Sequence, residues 1–133
     1  MCIRDRLEPH RSYLRVLGPI LDDPLTKGSI KALAHITGGG LLENIPRVLP
    51  AGMAAHLSKG SWPQSELFAW LQRTAGIDDH EMNRTFNNGI GMVVVIAAEH
   101  AQACAEQLRQ AGESVYRIGL IAPMGVGAAV EIA

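Results

Sequence analysis

The chain has 133 residues, of which 47% are apolar and 19% charged, with a formal net charge of −1. That length and balance suit one folded domain with a single core and exclude a disordered chain. Near-neutral charge gives no electrostatic reason to expect a nucleic-acid or membrane surface.

Residues 1–6 alternate charged and apolar side chains, lack the apolar stretch of a signal peptide, and fit nothing that follows. They are expected to be extraneous or disordered, with the domain running over 7–133. Residues 9–21 place Tyr13, Leu14, Val16, Leu17, Ile20 and Leu21 on one helical face, interrupted by Gly18-Pro19 and stopped by Asp22-Asp23-Pro24. Residues 30–36 alternate loosely and are expected to be a helix end followed by a short strand. Thr37-Gly38-Gly39-Gly40 is a loop, and a helical turn over 41–45 is limited by Pro46 and Pro50.

Residues 53–57 read as a strand. Ser61-Trp62-Pro63 is expected to open a helix whose stripe is Leu67, Phe68, Trp70 and Leu71 and which Gly76 ends. Asp78-Asp79-His80-Glu81 starts a shorter helix, and Thr85-Phe86-Asn87-Asn88-Gly89 is rich in turn formers. Residues 92–97 are a β-branched apolar run, expected as a strand covered on both faces. A helix follows over 99–111, with Ala101, Cys104, Ala105 and Leu108 inward and Gly112 at its end. Strands are expected over 115–121 and 126–132, joined by Pro123-Met124-Gly125. The order predicts an α+β domain with helices packed on a mixed sheet. Cys2 and Cys104 lack metal-ligand spacing and read as free thiols of a reducing compartment, consistent with a cytoplasmic protein.

Two stretches carry the chemistry. In His35-Ile36-Thr37-Gly38-Gly39-Gly40-Leu41-Leu42-Glu43-Asn44, the bare backbone of the glycines can turn its N–H groups toward an anion. A helix start adds donors and Thr37 adds a hydroxyl. A close-packed turn is the competing reading. His35, on the strand before the loop, is either a core or supporting residue or a participant in the chemistry, and the five histidines form no metal pattern. Arg47 sits between two prolines, which lowers the entropy cost of aiming its guanidinium at a phosphate, or it pairs with an exposed acid. In Glu81-Met82-Asn83-Arg84-Thr85-Phe86-Asn87-Asn88-Gly89-Ile90-Gly91-Met92, Arg84, Thr85 and Asn87 can meet a ligand. Alternatively, Arg84 pairs with Glu81 on a helix face and Asn87 caps a turn.

The run from Ala34 to Pro50 and that from Glu81 to Met92 together resemble the phosphoribosylformylglycinamidine cyclo-ligases, also called aminoimidazole ribonucleotide synthetases. The likeness extends from about Leu7 to the end, and the first motif is long and specific. Asn88 departs from it, standing where members often carry Cys or Met. The resemblance implies the family's carboxy-terminal domain, a three-layer α/β/α arrangement with a mixed sheet, partly ferredoxin-like. An amino-terminal domain, absent from this sequence, is implied to hold most of the ATP and Mg2+ contacts and to build a homodimer. The implied reaction is ATP-dependent closure of the imidazole ring of formylglycinamidine ribonucleotide in purine biosynthesis. In that frame His35, Thr37 and Asn87 are catalytic candidates. Thr37, Gly38, Gly39, Gly40, Asn44, Arg47, Arg84, Thr85 and Asn87 are candidates for holding substrate or phosphate, and no residue is assigned to a metal. The implied ligand is a small molecule, with neither nucleic acid nor membrane as partner. One alternative is a related ATP-dependent protein of the same architecture, of the formylglycinamidine synthetase, selenophosphate synthetase or hydrogenase-maturation dehydratase type, and an isolated, non-catalytic ligand-binding fragment is the other.

Overall fold

The computed structural model describes residues 11–24 and 26–133. The reading of residues 1–6 and the pairing state of Cys2 lie outside the described residues. Helix α1 (Leu14–Asp22) contains Pro19 and buries Leu17 and Ile20. The Thr26 hydroxyl donates to the Ile20 carbonyl at 2.6 Å, satisfying an acceptor that the helix end leaves open. Strand β1 (Ile30–His35) follows with no helical part. Its whole length pairs antiparallel with β3 (Met92–Ile96), with one register shift between Ile30 and Ala32, and this pairing overrides the loose local pattern.

Beyond the glycine loop, α2 (Gly40–Asn44) and a single 3-10 turn (Pro46–Val48) lead to β2 (Met53–Leu57). β2 is the centre of a second sheet, antiparallel to β4 (Gly119–Pro123) and parallel to β5 (Val130–Ile132). The α+β class with strands of mixed orientation is as expected, and the strands divide between these two sheets.

Three boundaries differ from expectation. Helix α3 (Glu66–Ala75) begins after Ser61-Trp62-Pro63, because the Ser65 hydroxyl, not Ser61, caps it by accepting from the Phe68 N–H. Ser61 instead donates to the Ser58 carbonyl at 2.7 Å. β4 starts at Gly119, where the backbone lies so close to the His56 carbonyl that a Cβ would stand 2.1 Å from its oxygen. β4 then runs through Pro123, which had been expected in a turn. β5 pairs only from Val130, and Val126 is fully exposed.

Helix α4 (Asp79–Thr85) is capped by Asp78, whose carboxylate accepts from the Glu81 N–H at 2.8 Å. Helix α5 (Ala101–Gln110) follows a 3-10 turn and is closed by Gly112 at φ 89°. α5 packs Cys104 and Leu108 against Leu17 and Ile20 of α1. A larger core joins Ile36, Leu41, Ile45, Ala55, Leu57 and Val93, so the segment flanking the glycine loop is anchored on both sides. β3 is not fully covered: Val93 is buried, but Val94 and Ile96 border an open apolar groove of about 520 Å3 that also touches α5 and β4. Among the described residues no helix is long and apolar enough to cross a membrane.

Candidate functional site

The glycine loop is shaped by one side chain. Asn44 is 6% exposed, and its amide nitrogen points at the carbonyls of Gly40 at 2.8 Å, Gly38 at 3.2 Å and Thr37 at 3.5 Å. That nitrogen carries two hydrogens, so the two shorter contacts are full bonds and Thr37 receives a marginal share. Drawing successive carbonyls toward one point turns the intervening N–H groups away from it. Of the amides over 38–42, only that of Gly40 has an acceptor among the described residues, the Thr37 carbonyl at 3.0 Å. Those of Gly38, Gly39, Leu41 and Leu42 are not spent in chain-to-chain pairing. Nothing among the described residues hydrogen-bonds the Thr37 hydroxyl either.

The three glycines have separate reasons to be glycine. A Cβ on Gly38 would meet nothing within 4 Å. Gly39, at φ 97°, would place one 2.8 Å from a carboxylate oxygen of Glu43. Gly40, at φ 52°, would drive one to 2.1 Å from the Asn83 carbonyl and 2.7 Å from that of Phe86. Gly40 therefore serves close packing of α2 on α4, and open space at the bare backbone belongs to Gly38. The helix after the loop has five residues, and the available donors divide evenly between the loop amides of Gly38 and Gly39 and the first-turn amides of Leu41 and Leu42.

α2 and α4 bring the two motifs together through Glu43. Its carboxylate lies 3.9 Å from Arg47 and 3.8 Å from Arg84. Arg47 also donates to the Asn44 side-chain oxygen at 3.0 Å. Arg84 makes a two-pronged contact with Glu81, at 2.9 and 3.0 Å, and the Thr85 hydroxyl donates to the same carboxylate at 2.7 Å. Hydrogen bonds from Arg84, then from Thr85, hold the Glu81 carboxyl below its usual range. Asn87 accepts from the Gly89 N–H at 3.2 Å, a local turn. Arg84 and Asn87 thus have the intrachain partners foreseen as alternatives to ligand contact.

His35 is exposed, so it is not a core histidine, and its ring meets Tyr13 edge-on with centroids 6.2 Å apart. The Tyr13 hydroxyl crosses Gly91 closely enough that a Cβ there would stand 2.0 Å from it. Tyr13 also lines an open cleft of about 350 Å3 with Arg11, Pro63, Gly89, Gly91 and Tyr116. Neither this cleft nor the apolar groove is lined by the 37–40 loop, Arg84, Thr85 or Asn87.

Sequence reading missed Glu43, although its spacing of four from Arg47 is a readable signal. It also missed Trp62, whose indole N–H donates to the Asn88 carbonyl at 3.1 Å across 26 positions. Asn88 is held there at φ 49°, with its amide donating to Asn83 at 2.8 Å. Among the described residues no three His, Cys, Asp or Glu side chains are grouped as a metal ion would require.

Residues 6–130 match the family described as AIR synthase related protein, C-terminal domain. The phosphoribosylformylglycinamidine cyclo-ligase of Polaromonas sp. is 71% identical over 127 residues, covering 95% of this chain and 35% of that protein. That of Bordetella pertussis is 50% identical over 126 residues, covering 95% and 36%. The chain spans about a third of the length of these curated relatives. Among solved structures, the hydrogenase maturation protein HypE of E. coli superposes with a TM-score of 0.69 at 18% identity, over 98% of this chain and 40% of that one. HypE in complex with ATP gives 0.68 at 24% identity, over 90% and 36%. At such identities these likenesses speak for the fold alone. With its match spanning both glycine-loop and α4 motifs, the chain belongs to the AIR synthase related protein family, as its C-terminal domain.

Proposed function

We propose that this chain is the carboxy-terminal part of a phosphoribosylformylglycinamidine cyclo-ligase of purine biosynthesis, and that its 37–40 loop holds a phosphate group. The observation that carries the site is the Asn44 clamp, which gathers the carbonyls of Gly38 and Gly40 and leaves the Gly38 and Gly39 amides without acceptors beside two arginines. The names of the relatives carry the reaction.

In that reaction the formyl oxygen of formylglycinamidine ribonucleotide attacks the terminal phosphorus of ATP, and ADP leaves. The amidine-side nitrogen then attacks the activated carbon. Phosphate departs with the former formyl oxygen, and the aminoimidazole ring is closed. The chemistry asks the protein mainly to position groups and stabilise charge. Loop amides of Gly38 and Gly39 and the Thr37 hydroxyl are suited to phosphate oxygens, with Gly40 and Asn44 keeping the loop in shape. Arg47 and Arg84 supply positive charge. His35, Thr85 and Asn87 border the substrate, and His35, Thr37 and Asn87 remain the catalytic candidates.

ATP and Mg2+ are assigned mainly to the remaining two-thirds of the protein, and no step is routed through a metal on this chain. A cytoplasmic homodimer, built mainly by that same remaining part, belongs to the same proposal. The chain by itself is expected to show no ATP-dependent cyclisation.

The test is Gly38→Val at the corresponding glycine of a full-length relative. Space around Gly38 is open, so the fold tolerates a side chain there, while the added bulk sits at the loop proposed to hold the phosphate. Loss of turnover with an unchanged melting temperature is expected. Normal turnover and normal KM would remove the loop from the active site.

A further inference from the structure

The Glu43 carboxylate stands beside the glycine loop, facing both arginines. It covers the Cα face of Gly39, with one oxygen 2.8 Å from where a Cβ would stand. The same carboxylate faces Arg84 with one oxygen at 3.8 Å and Arg47 with the other at 3.9 Å. These separations are too long for hydrogen bonds, so the attraction is electrostatic and unspecific in direction. The Arg84 nitrogen turned toward Glu43 is Nη1, the one that Glu81 leaves unused, since Glu81 takes Nε and Nη2. Both arginines are thus already committed elsewhere by good hydrogen bonds, to Asn44 and to Glu81, and only their remaining faces converge on Glu43.

We infer that Glu43 is an internal stand-in for the anionic ligand, which a phosphate group displaces and weaker anions do not. This rests on the reading of the 37–40 loop as a phosphate site. The charge balance gives the reason. Arg47 and Arg84 are matched by Glu43 and Glu81, so the resting cluster has no surplus positive charge to attract a monovalent ion. A phosphate monoester brings up to two charges and three oxygens, enough to engage the Gly38 and Gly39 amides and both guanidinium faces at once. Glu43 is on the solvent side of α2, its side chain 46% exposed, so rotation of the carboxylate off Gly39 leaves the buried Leu41 and Asn44 in place. Displacement of this carboxylate makes Glu43 a specificity-determining residue, one that sets a threshold of ligand charge.

The experiment titrates the isotopically labelled 133-residue chain with inorganic phosphate, ribose 5-phosphate and, separately, chloride, reading the Gly38 and Gly39 amide resonances by NMR. Glu43→Gln keeps the shape and removes the charge, and Glu43→Ala removes both. Expected for both variants is phosphate binding about tenfold tighter than in the wild type, the effect of relieving one like charge at close range near a surface, together with a new response to chloride. Wild-type binding with unchanged or weaker affinity in both variants overturns the role of Glu43 and leaves the phosphate site standing. Absence of any response to phosphate or ribose 5-phosphate in all three proteins overturns the phosphate site, and the role of Glu43 with it.

Discussion

Gly40 rests with its Cα against the carbonyl of Asn83, and this contact locks α2 onto α4. Its neighbour Gly38 faces open space. The two positions therefore separate stability from ligand contact. Gly40→Ala meets both a left-handed backbone and two carbonyl oxygens, and is expected to cost about 2 kcal/mol or more. Gly38→Ala is expected to stay within about 0.5 kcal/mol of the wild type. Urea denaturation of the two variants checks the contrast, and equal losses would contradict the packing described for Gly40.

Asn44 is the second place where a single group decides local shape. Asn44→Ala leaves the Gly40 and Gly38 carbonyls without their side-chain donor in a part-buried setting, and a loss of about 1–3 kcal/mol is expected from urea unfolding. Asn44→Asp is expected to be worse than Ala, because a carboxylate would face those carbonyl oxygens with no hydrogen to offer.

Acid sensitivity follows from α4. Glu81 is held low by Arg84 and Thr85, and Asp79 by hydrogen bonds from Lys59 and then Gln72. A carboxyl depressed in the folded state contributes stability above its unfolded pKa and loses it as pH falls through the folded one. Urea midpoints are therefore expected to be flat near neutrality and to decline below about pH 5. The double variant Asp79→Asn, Glu81→Gln is expected to decline less steeply. Both groups are exposed, so the effect is modest and shrinks with added salt.

Cys104 is buried between α5 and α1, and burial pushes its thiol pKa up. Thiolate is the reactive form, so alkylation by iodoacetamide at mildly alkaline pH is expected to be slower than in urea by more than about tenfold. Mass spectrometry of the Cys104 peptide measures this directly. Equal rates would mean that α5 opens readily from α1.

What could be read from the sequence was what local chemistry decides. The start of α4 at Asp78-Asp79, the glycine closure after α5 and the apolar run of β3 are all local statements, and the structure places them as read. The start of α3 was displaced by four residues because Ser61 and Ser65 are equally good caps by type, and only the loop contacts of Ser61 and Trp62 decide between them. The end strands were misplaced for a related reason. β4 and β5 exist only where β2 offers backbone partners, and register against a distant strand is not written in either segment. At the site, the glycine motif pointed to the loop, but Gly40 proved to answer a carbonyl of α4. The roles of Asn44 and Glu43 depend on where α2 turns them, and five residues of helix hold too little pattern to say so.

Trp62 turns this architecture into something visible. Its indole reports on the Asn88 carbonyl directly, whereas Trp70 lies on the outer side of α3 with 40% of its surface in water. Emission from the two rings should therefore differ in colour and quenching. A shift confined to the bluer component on titration would register movement of the 87–89 turn in real time, without a dye or a label.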